Sequence, residues 1–483
     1  MLGRALFCKK HLTNGLRYAA FFRCAKKALE MKAYVRHSLQ GGSHMSRKVV
    51  CIREALYSAI RSVCSVSRLF ARAPGHDFTR NGKLPLEKLI TLILSLKGGS
   101  LASELLGHFG CSAAIASAPA FVKRRGRLLP EAFSFLFHLF VERTQPSTLF
   151  HGFCLLAVDG SDLHIPTDPD DTDSFFPGKG DSKPYNLLHL DALYDLMSHT
   201  YLDASVCPKR LSDECRALCD MVDRTDLSHP AIILADRGYE SYNVLAHILQ
   251  KGWKFLIRVK NGAGGIVSGL PVPNSEEFDI QVNLSLTRKQ TNEAKALALA
   301  SPFFKILSSD TVFDFLPMKN KKSVPVLPFQ IPFRLVRFKL SDSSIETVIT
   351  NLDFPPDQLK RLYAMRWGIE TSFRQLKYTI GLLHFHAKKV EHIYQEIFAR
   401  LILYNFTELI TSPVIFHKAD NKYAYRANFT VAVHVCRQFF LGNVSPPDVE
   451  AVISRNISPV RPGRNAPRNL SAVRTISFTY RVA

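Results

Sequence analysis

Three carboxylates sit where phosphoryl-transfer chemistry could use them. Asp159 follows a continuous apolar run at 153–158 and opens Asp159-Gly160-Ser161. Asp236 follows a second run at 231–235 and opens Asp236-Arg237-Gly238-Tyr239. Such runs read as strands buried on both faces, and functional groups of α/β sheets collect at carboxyl ends of strands. Glu370 lies instead in a helical stretch, 357–378, opened by Pro355-Pro356. At about 100° per residue, Tyr363, Arg366, Glu370, Arg374 and Lys377 share an arc of roughly 80°. Leu362, Ile369, Phe373 and Leu376 occupy the adjoining arc. Taken alone, this is an ordinary amphipathic helix with an i,i+4 pair between Arg366 and Glu370. Taken together, two strand-end aspartates and a helix glutamate offer the oxygen donors that hard divalent cations take. Two such ions about 3.5–4 Å apart activate water and stabilise the leaving oxygen of a phosphodiester.

Other candidates carry less. Arg258 and Lys260, at a strand end, and Arg237, beside Asp236, are placed to contact phosphate. Asp162, Asp168, Asp170, Asp171 and Asp173 form an acidic loop around Pro169 that reads as a solvated turn. His384 and His386 alternate beyond a helix end, a poor metal-ligand spacing. Trp253 and Trp367 read as core. Ten cysteines show no Cys-x-x-Cys spacing, Cys207, Cys215 and Cys219 included, and read as free thiols.

The elements that would position the carboxylates follow in a recognisable order. Strands at 153–158, 186–196 and 199–206 lead to a helix over 209–222, the strand at 231–235, a helix over 241–250 and a strand at 254–259. Three strands, helix, strand, helix, strand is the order of a ribonuclease-H-like fold. The fold class expected is therefore α/β: a ribonuclease-H-like core over 149–260 and 351–415, interrupted by a β-rich insertion at 261–350. In that insertion, 333–338 alternates as a half-buried strand does, and 347–350 is its last strand. A small all-α region at 46–148 precedes the core. Its short helices, the last carrying Lys123-Arg124-Arg125 after a Ser117 cap, suggest a helix-turn-helix-like DNA reader or a scaffold. Residues 416–483 form a carboxy-terminal helical region and a basic tail, with six Arg and no acid over 454–483. That tail is a phosphate-binding arm or a solvated end.

Charge narrows the partner class. The 483 residues include 63 Lys and Arg against 41 Asp and Glu, for a formal charge of +22. Such a chain is drawn to polyanions, nucleic acid first among them. A composition of 46% hydrophobic and 22% charged residues excludes fibrous and wholly disordered classes. No apolar run approaches the roughly 18 residues of a membrane span. Residues 1–45 stand apart: 1–44 carry nine Lys or Arg and one acid, Glu30. This is the composition of an organelle transit peptide or, the reading favoured here, of an extension upstream of a start at Met45, past Gly41-Gly42-Ser43.

The helix motif Tyr363-x2-Arg366-x3-Glu370-x6-Lys377, with the Asp159 and Asp236 blocks before it, resembles the signature of DDE transposases of the insertion-sequence-four family. The likeness spans about residues 78–465. It implies that Asp159, Asp236 and Glu370 hold two Mg2+ ions, with Mn2+ as a substitute, and that Tyr363, Arg366 and Lys377 hold DNA phosphate or backbone near the cut. It further implies cut-and-paste transposition of a bacterial insertion sequence. Water frees a 3′-hydroxyl at the element end, which attacks the opposite strand to form a hairpin, and later the target DNA. The implied partners are double-stranded DNA with terminal inverted repeats, target DNA and a second copy in a DNA-bound homodimer, in a bacterial cytoplasm at the nucleoid. Two alternatives stay open: a catalytically silent DNA-binding descendant of a transposase, and a ribonuclease-H-like nuclease without strand transfer.

Overall fold

In the computed structural model, the described residues are 44–460 except 81, 113–114, 147, 179, 181–182, 261–263, 319–326, 342–343 and 413–423. The expected amino-terminal extension (1–43 of it) and most of the basic tail (461–483) lie outside them.

The apolar run that ends at Val158 opens a longer strand than its hydrophobicity suggests. β1 (Cys154–Ile165) continues through Asp159 to Ile165 because it stays paired, antiparallel, with β3 (Tyr185–Asp195). Asp159 is thus mid-strand, a correction to its expected place at a strand end. It still stands where β1 and β5 (Ala231–Ala235) part. The parallel pairing of β1 with β5 stops at Ala157–Leu234, so β1 has no partner on that side from Asp159 onward. β5 ends just before Asp236.

β4 (Thr200–Pro208) pairs antiparallel with β3, and β6 (Lys254–Arg258) pairs parallel with β5. The core order β4-β3-β1-β5-β6, three antiparallel strands and then two parallel ones, is that of a ribonuclease-H-like core. The β-branched stretch after β6 extends this same sheet. β10 (Ser344–Thr350) pairs antiparallel with β6, then β9 (Phe329–Ser341), β7 (Phe278–Thr287) and β8 (Phe304–Ile306) follow; the two-residue β2 (Phe175–Phe176) closes the other edge on β3.

Strand alternation sends Leu155 and Ala157 to one face and Leu156 and Val158 to the other. The second face is covered by α6 (Glu214–Arg224) and α7 (Tyr242–Gln250). α6 begins later than 209 because Asp213 caps it, accepting from the Arg216 N–H at 2.9 Å. The first face packs against the amino-terminal helices α1 (His44–Ser65), α2 (Leu86–Ser95), α3 (Leu101–His108), α4 (Ala118–Arg125) and α5 (Glu131–Arg143). α11 (Val390–Thr411), α12 (Phe429–Phe440) and α13 (Pro446–Arg455) share that core, with Phe133, Phe137 and Phe140 of α5 in one cluster with Ile397 and Leu401 of α11. β11 (Ala424–Ala427) and β12 (Ile457–Val460) form a separate two-stranded sheet.

The basic α4 is only partly free for a ligand. Arg125 is 2% exposed, bonded to Glu396 at 2.7 Å and to Gln395 at 2.6 Å on α11. Arg124 bonds the Leu84 carbonyl at 3.3 Å and lies over the Phe78 ring. Two of the three cations expected on that helix therefore hold it to its neighbours.

The helix expected over 357–378 comes in three pieces. α9 (Pro356–Ala364) tightens at Met365–Arg366 into i+3 bonds, α10 (Trp367–Arg374) follows, and 375–380 widens into a π-turn closed by Gly381 in the left-handed region. Lys377 lies in the widened segment, so an ideal 100° arc does not describe it. Gly368 lets α10 rest on the β3–β4 turn, where a Cβ would come 2.7 Å from Leu196 Cδ2.

Candidate active site

On the face of the sheet that carries Leu155 and Ala157, α10 delivers Glu370 and the preceding turn delivers Arg366 to the stretch of β1 that carries Asp159. Arg366 is 5% exposed, and its Nη2 donates to Glu370 Oε1 at 2.9 Å. Both lie within electrostatic reach of Asp159. Burial raises the Asp159 carboxyl to about 6; the Gly160 N–H and Arg366 pull it down, and Glu370 and Glu214 add repulsion. Asp236 accepts from the Arg237 N–H at 2.7 Å and lies within the field of Tyr363. Lys377 Nζ donates to the Asp162 carbonyl at 3.1 Å, and burial lowers its pKa. The Tyr363 hydroxyl and Arg366 Nε are buried without a hydrogen-bond partner among the described residues. Unpaired buried donors cost about 1–3 kcal/mol each, and such a cost is recovered when a ligand oxygen arrives.

Not every expected contact is available. Arg258 stands between Glu346, at 3.3 Å, and Asp236, at 3.9 Å, and is occupied as a counter-ion. Lys260 and Arg237 are exposed. Trp253 is core, but Trp367 is half exposed and lies against the Arg366 guanidinium, a correction to its reading as core. His386 is tied by its ring to the Gly99 carbonyl and by its backbone N–H to Glu396. Cys207, Cys215 and Cys219 are free thiols.

The donor set suits a hard divalent cation in chemistry: carboxylate oxygens, one of them raised in pKa partly by neighbouring carboxylates. As the side chains lie, no three His, Cys, Asp or Glu among the described residues stand close enough to hold one ion. Arg366 occupies Glu370 and Arg258 approaches Asp236, so two of the three carboxylates lie beside a guanidinium group.

A second cluster lies on the opposite face of β1. His189 and Asp191 of β3, Glu214 of α6, Asp162 and Lys209 surround Gly160. These carboxylates hold the His189 imidazolium charged, with its pKa pushed up to about 11 against a burial cost. The signal was present in the sequence, since His189 and Asp191 alternate within an apolar strand and so share one face. The contact with Gly160 is tight: a Cβ there would stand 2.5 Å from His189 Nε2 and 3.2 Å from Glu214 Oε1. Because His189 is 2% exposed and pinned, Gly160→Ala is expected to cost about 1–3 kcal/mol as overpacking does and to lower cleavage by displacing Asp159. Urea unfolding and a cleavage assay check this; wild-type stability would show that His189 yields.

No helix among the described residues is long and apolar enough to cross a membrane. The family model described as "Transposase DDE domain" matches residues 151–406, from just ahead of β1 into α11. Among solved structures, the chain is similar to a piggyBac transposase synaptic complex with hairpin DNA, at 10% identity and a TM-score of 0.37, over 92% of this chain and 82% of that one. That likeness is too loose to bear on the reaction. No curated protein matches the chain.

Proposed function

The chain belongs to the transposase DDE domain family, and from that premise we propose that it excises and reinserts an insertion sequence by cut-and-paste, as a member of the insertion-sequence-four group. Members of the wider family generally use divalent metals; the proposal here is two Mg2+ ions held by Asp159, Asp236 and Glu370. The observation that carries the reading is the meeting of Asp159, Glu370 and Arg366 at the stretch of β1 that runs on beyond its pairing with β5, inside the matched region.

When bound, divalent cations supply Lewis-acid charge to the attacking and leaving oxygens of the phosphodiester. The chain's own groups do the rest. Asp159 and Asp236 fix their carboxylates against backbone N–H groups of Gly160 and Arg237. Arg366 neutralises Glu370 until a ligand arrives, and its free Nε, with the Tyr363 hydroxyl, offers donors to a phosphate or sugar oxygen. Lys377 adds a cation at the rim. The substrates proposed are duplex DNA with terminal inverted repeats and a target duplex, engaged by a dimer, with a hairpin intermediate. The test is purified protein with duplexes carrying the repeats that flank its gene. Mg2+-dependent release of a 3′-hydroxyl end followed by joining to a second duplex is the expected result. Cleavage without joining would leave a nuclease, and no cleavage with Mg2+ or Mn2+ would leave a silent binder.

The cations and the carboxylates separate experimentally. Lys377→Ala and Arg366→Ala are expected to bind end DNA more weakly, each with a log–log salt slope shallower by about one unit, and to keep some cleavage at low salt. If Arg366 only steadies Glu370, Arg366→Ala lowers the melting temperature and leaves the slope alone. Unchanged slopes in both variants would remove the phosphate-contact assignment.

A further inference from the structure

Four cations gather around a cavity that the catalytic proposal does not use. It has a volume of about 490 Å³, and its walls include Arg72, Lys123, Arg127, Lys389, Glu391 and His392. Three segments meet there: the bridge between Ala71 and Leu128, the last turn of α4, and the first turn of α11. Arg72 is fixed by its Nε to the Gly126 carbonyl at 2.7 Å and by an ion pair to Glu391. Arg127 leans on Asp77 at 3.5 Å. Lys123 and Lys389 are exposed and have no acidic partner among the described residues. His392 is held neutral, its pKa pushed down to about 4 by burial and then by Arg125 and Lys389, so the positive charge of the cavity comes from its Arg and Lys side chains alone. The 22-residue α11 aims its amino-terminal dipole into the same space, and Lys389 at its cap position makes no side-chain capping bond.

We infer that this cavity seats the phosphodiester backbone of duplex DNA, through Lys123 and Lys389 with Arg72 and Arg127 as fixed supports. The inference rests on the reading of the chain as a DNA transposase. Arg125, on the other side of α4, is claimed by Glu396; in the cavity the one carboxylate of the wall, Glu391, is claimed by Arg72, which leaves Lys123 and Lys389 for an anion from outside. The cavity lies one helix length from the segment that carries Lys377. From Val390 to Tyr404 is about 20 Å along α11 at 1.5 Å per residue. The Tyr404 hydroxyl donates to Gln375 at 3.1 Å, at the start of the segment carrying Lys377. About six base pairs cover that length at 3.4 Å per step. The contact is independent of base sequence, so it would anchor the flank of an end rather than read it.

The experiment uses the full chain and a short random-sequence duplex, with binding followed by fluorescence anisotropy between about 50 and 200 mM salt. The Lys123→Ala/Lys389→Ala variant is expected to bind roughly 10- to 100-fold more weakly near 0.1 M salt, with a slope shallower by about two units. Lys123→Arg/Lys389→Arg should keep the wild-type slope. A control, Lys48→Ala/Lys295→Ala, removes the same charge from exposed positions elsewhere. A wild-type slope in the alanine variant, or an equal loss in the control, overturns the inference while leaving the transposase reading intact. Failure of the wild-type chain to bind duplex DNA at all overturns both.

Discussion

Asp159→Asn, Asp236→Asn and Glu370→Gln are each expected to lose divalent-dependent cleavage by at least about 10³-fold, the several kcal/mol that metal-borne charge stabilisation supplies, while DNA binding survives. Stability separates this outcome from misfolding. Burial raises the Asp159 carboxyl to about 6. An acid whose folded pKa is raised costs stability above that pKa, so at neutral pH the isosteric Asn should melt at or above the wild-type temperature. Glu370→Gln keeps an acceptor for Arg366 but removes the charge beside a guanidinium that is 5% exposed, a loss of about 1–3 kcal/mol. Wild-type cleavage by any one variant removes that residue from the metal site. A fall in melting temperature with loss of binding in all three would make them structural.

The largest effect on stability is expected away from the site. Arg125 and Glu396 are 2% and 0% exposed, and their ion pair joins α4 to α11. The Glu396 carboxylate also accepts the His386 N–H at 3.0 Å, and Arg125 is held by Gln395 and the His392 carbonyl. Removing one member strands the other charge in the core, which costs about 3–5 kcal/mol. Arg125→Met and Glu396→Gln should each lower urea stability by that amount, and the double variant should recover part of it. Arg125 holds the Glu396 carboxyl far below its ordinary range despite complete burial. A depressed folded pKa gives stability that is complete above the ordinary carboxylate range and is lost as pH falls toward the folded value. The gap between wild type and Glu396→Gln should therefore be full at pH 7 and narrow on acidification. Losses under about 1 kcal/mol in both single variants would mean that water reaches the pair.

Local chemistry made much of this legible. The continuous apolar runs before Asp159 and Asp236 read as buried strands, and their order with the intervening helices matched a ribonuclease-H-like core. The spacing of Tyr363, Arg366, Glu370 and Lys377 placed the third carboxylate on a helix beside cations. The excess of basic residues pointed to a polyanionic partner. Each of these rests on a period or a composition, which a linear chain displays directly.

Pairing and burial were decided elsewhere in the chain. β1 runs on past Asp159 because β3 is there to receive its hydrogen bonds, and its edge toward β5 is unpaired there because β5 ends at Ala235. The β-rich stretch joins the core sheet because β10 finds β6. In sequence, Lys123, Arg124 and Arg125 are three equivalent cations. Tertiary packing makes Arg125 a buried strut, Arg124 a surface brace and Lys123 one wall of a basic cavity, because the acid that claims Arg125 lies 271 residues away and no acid among the described residues claims Lys123. The sequence by itself determined which residues could do chemistry and the elements that carry them; only the tertiary structure decided which charges are neutralised and which remain for DNA, since a charge is satisfied by neighbours in space that no local pattern encodes.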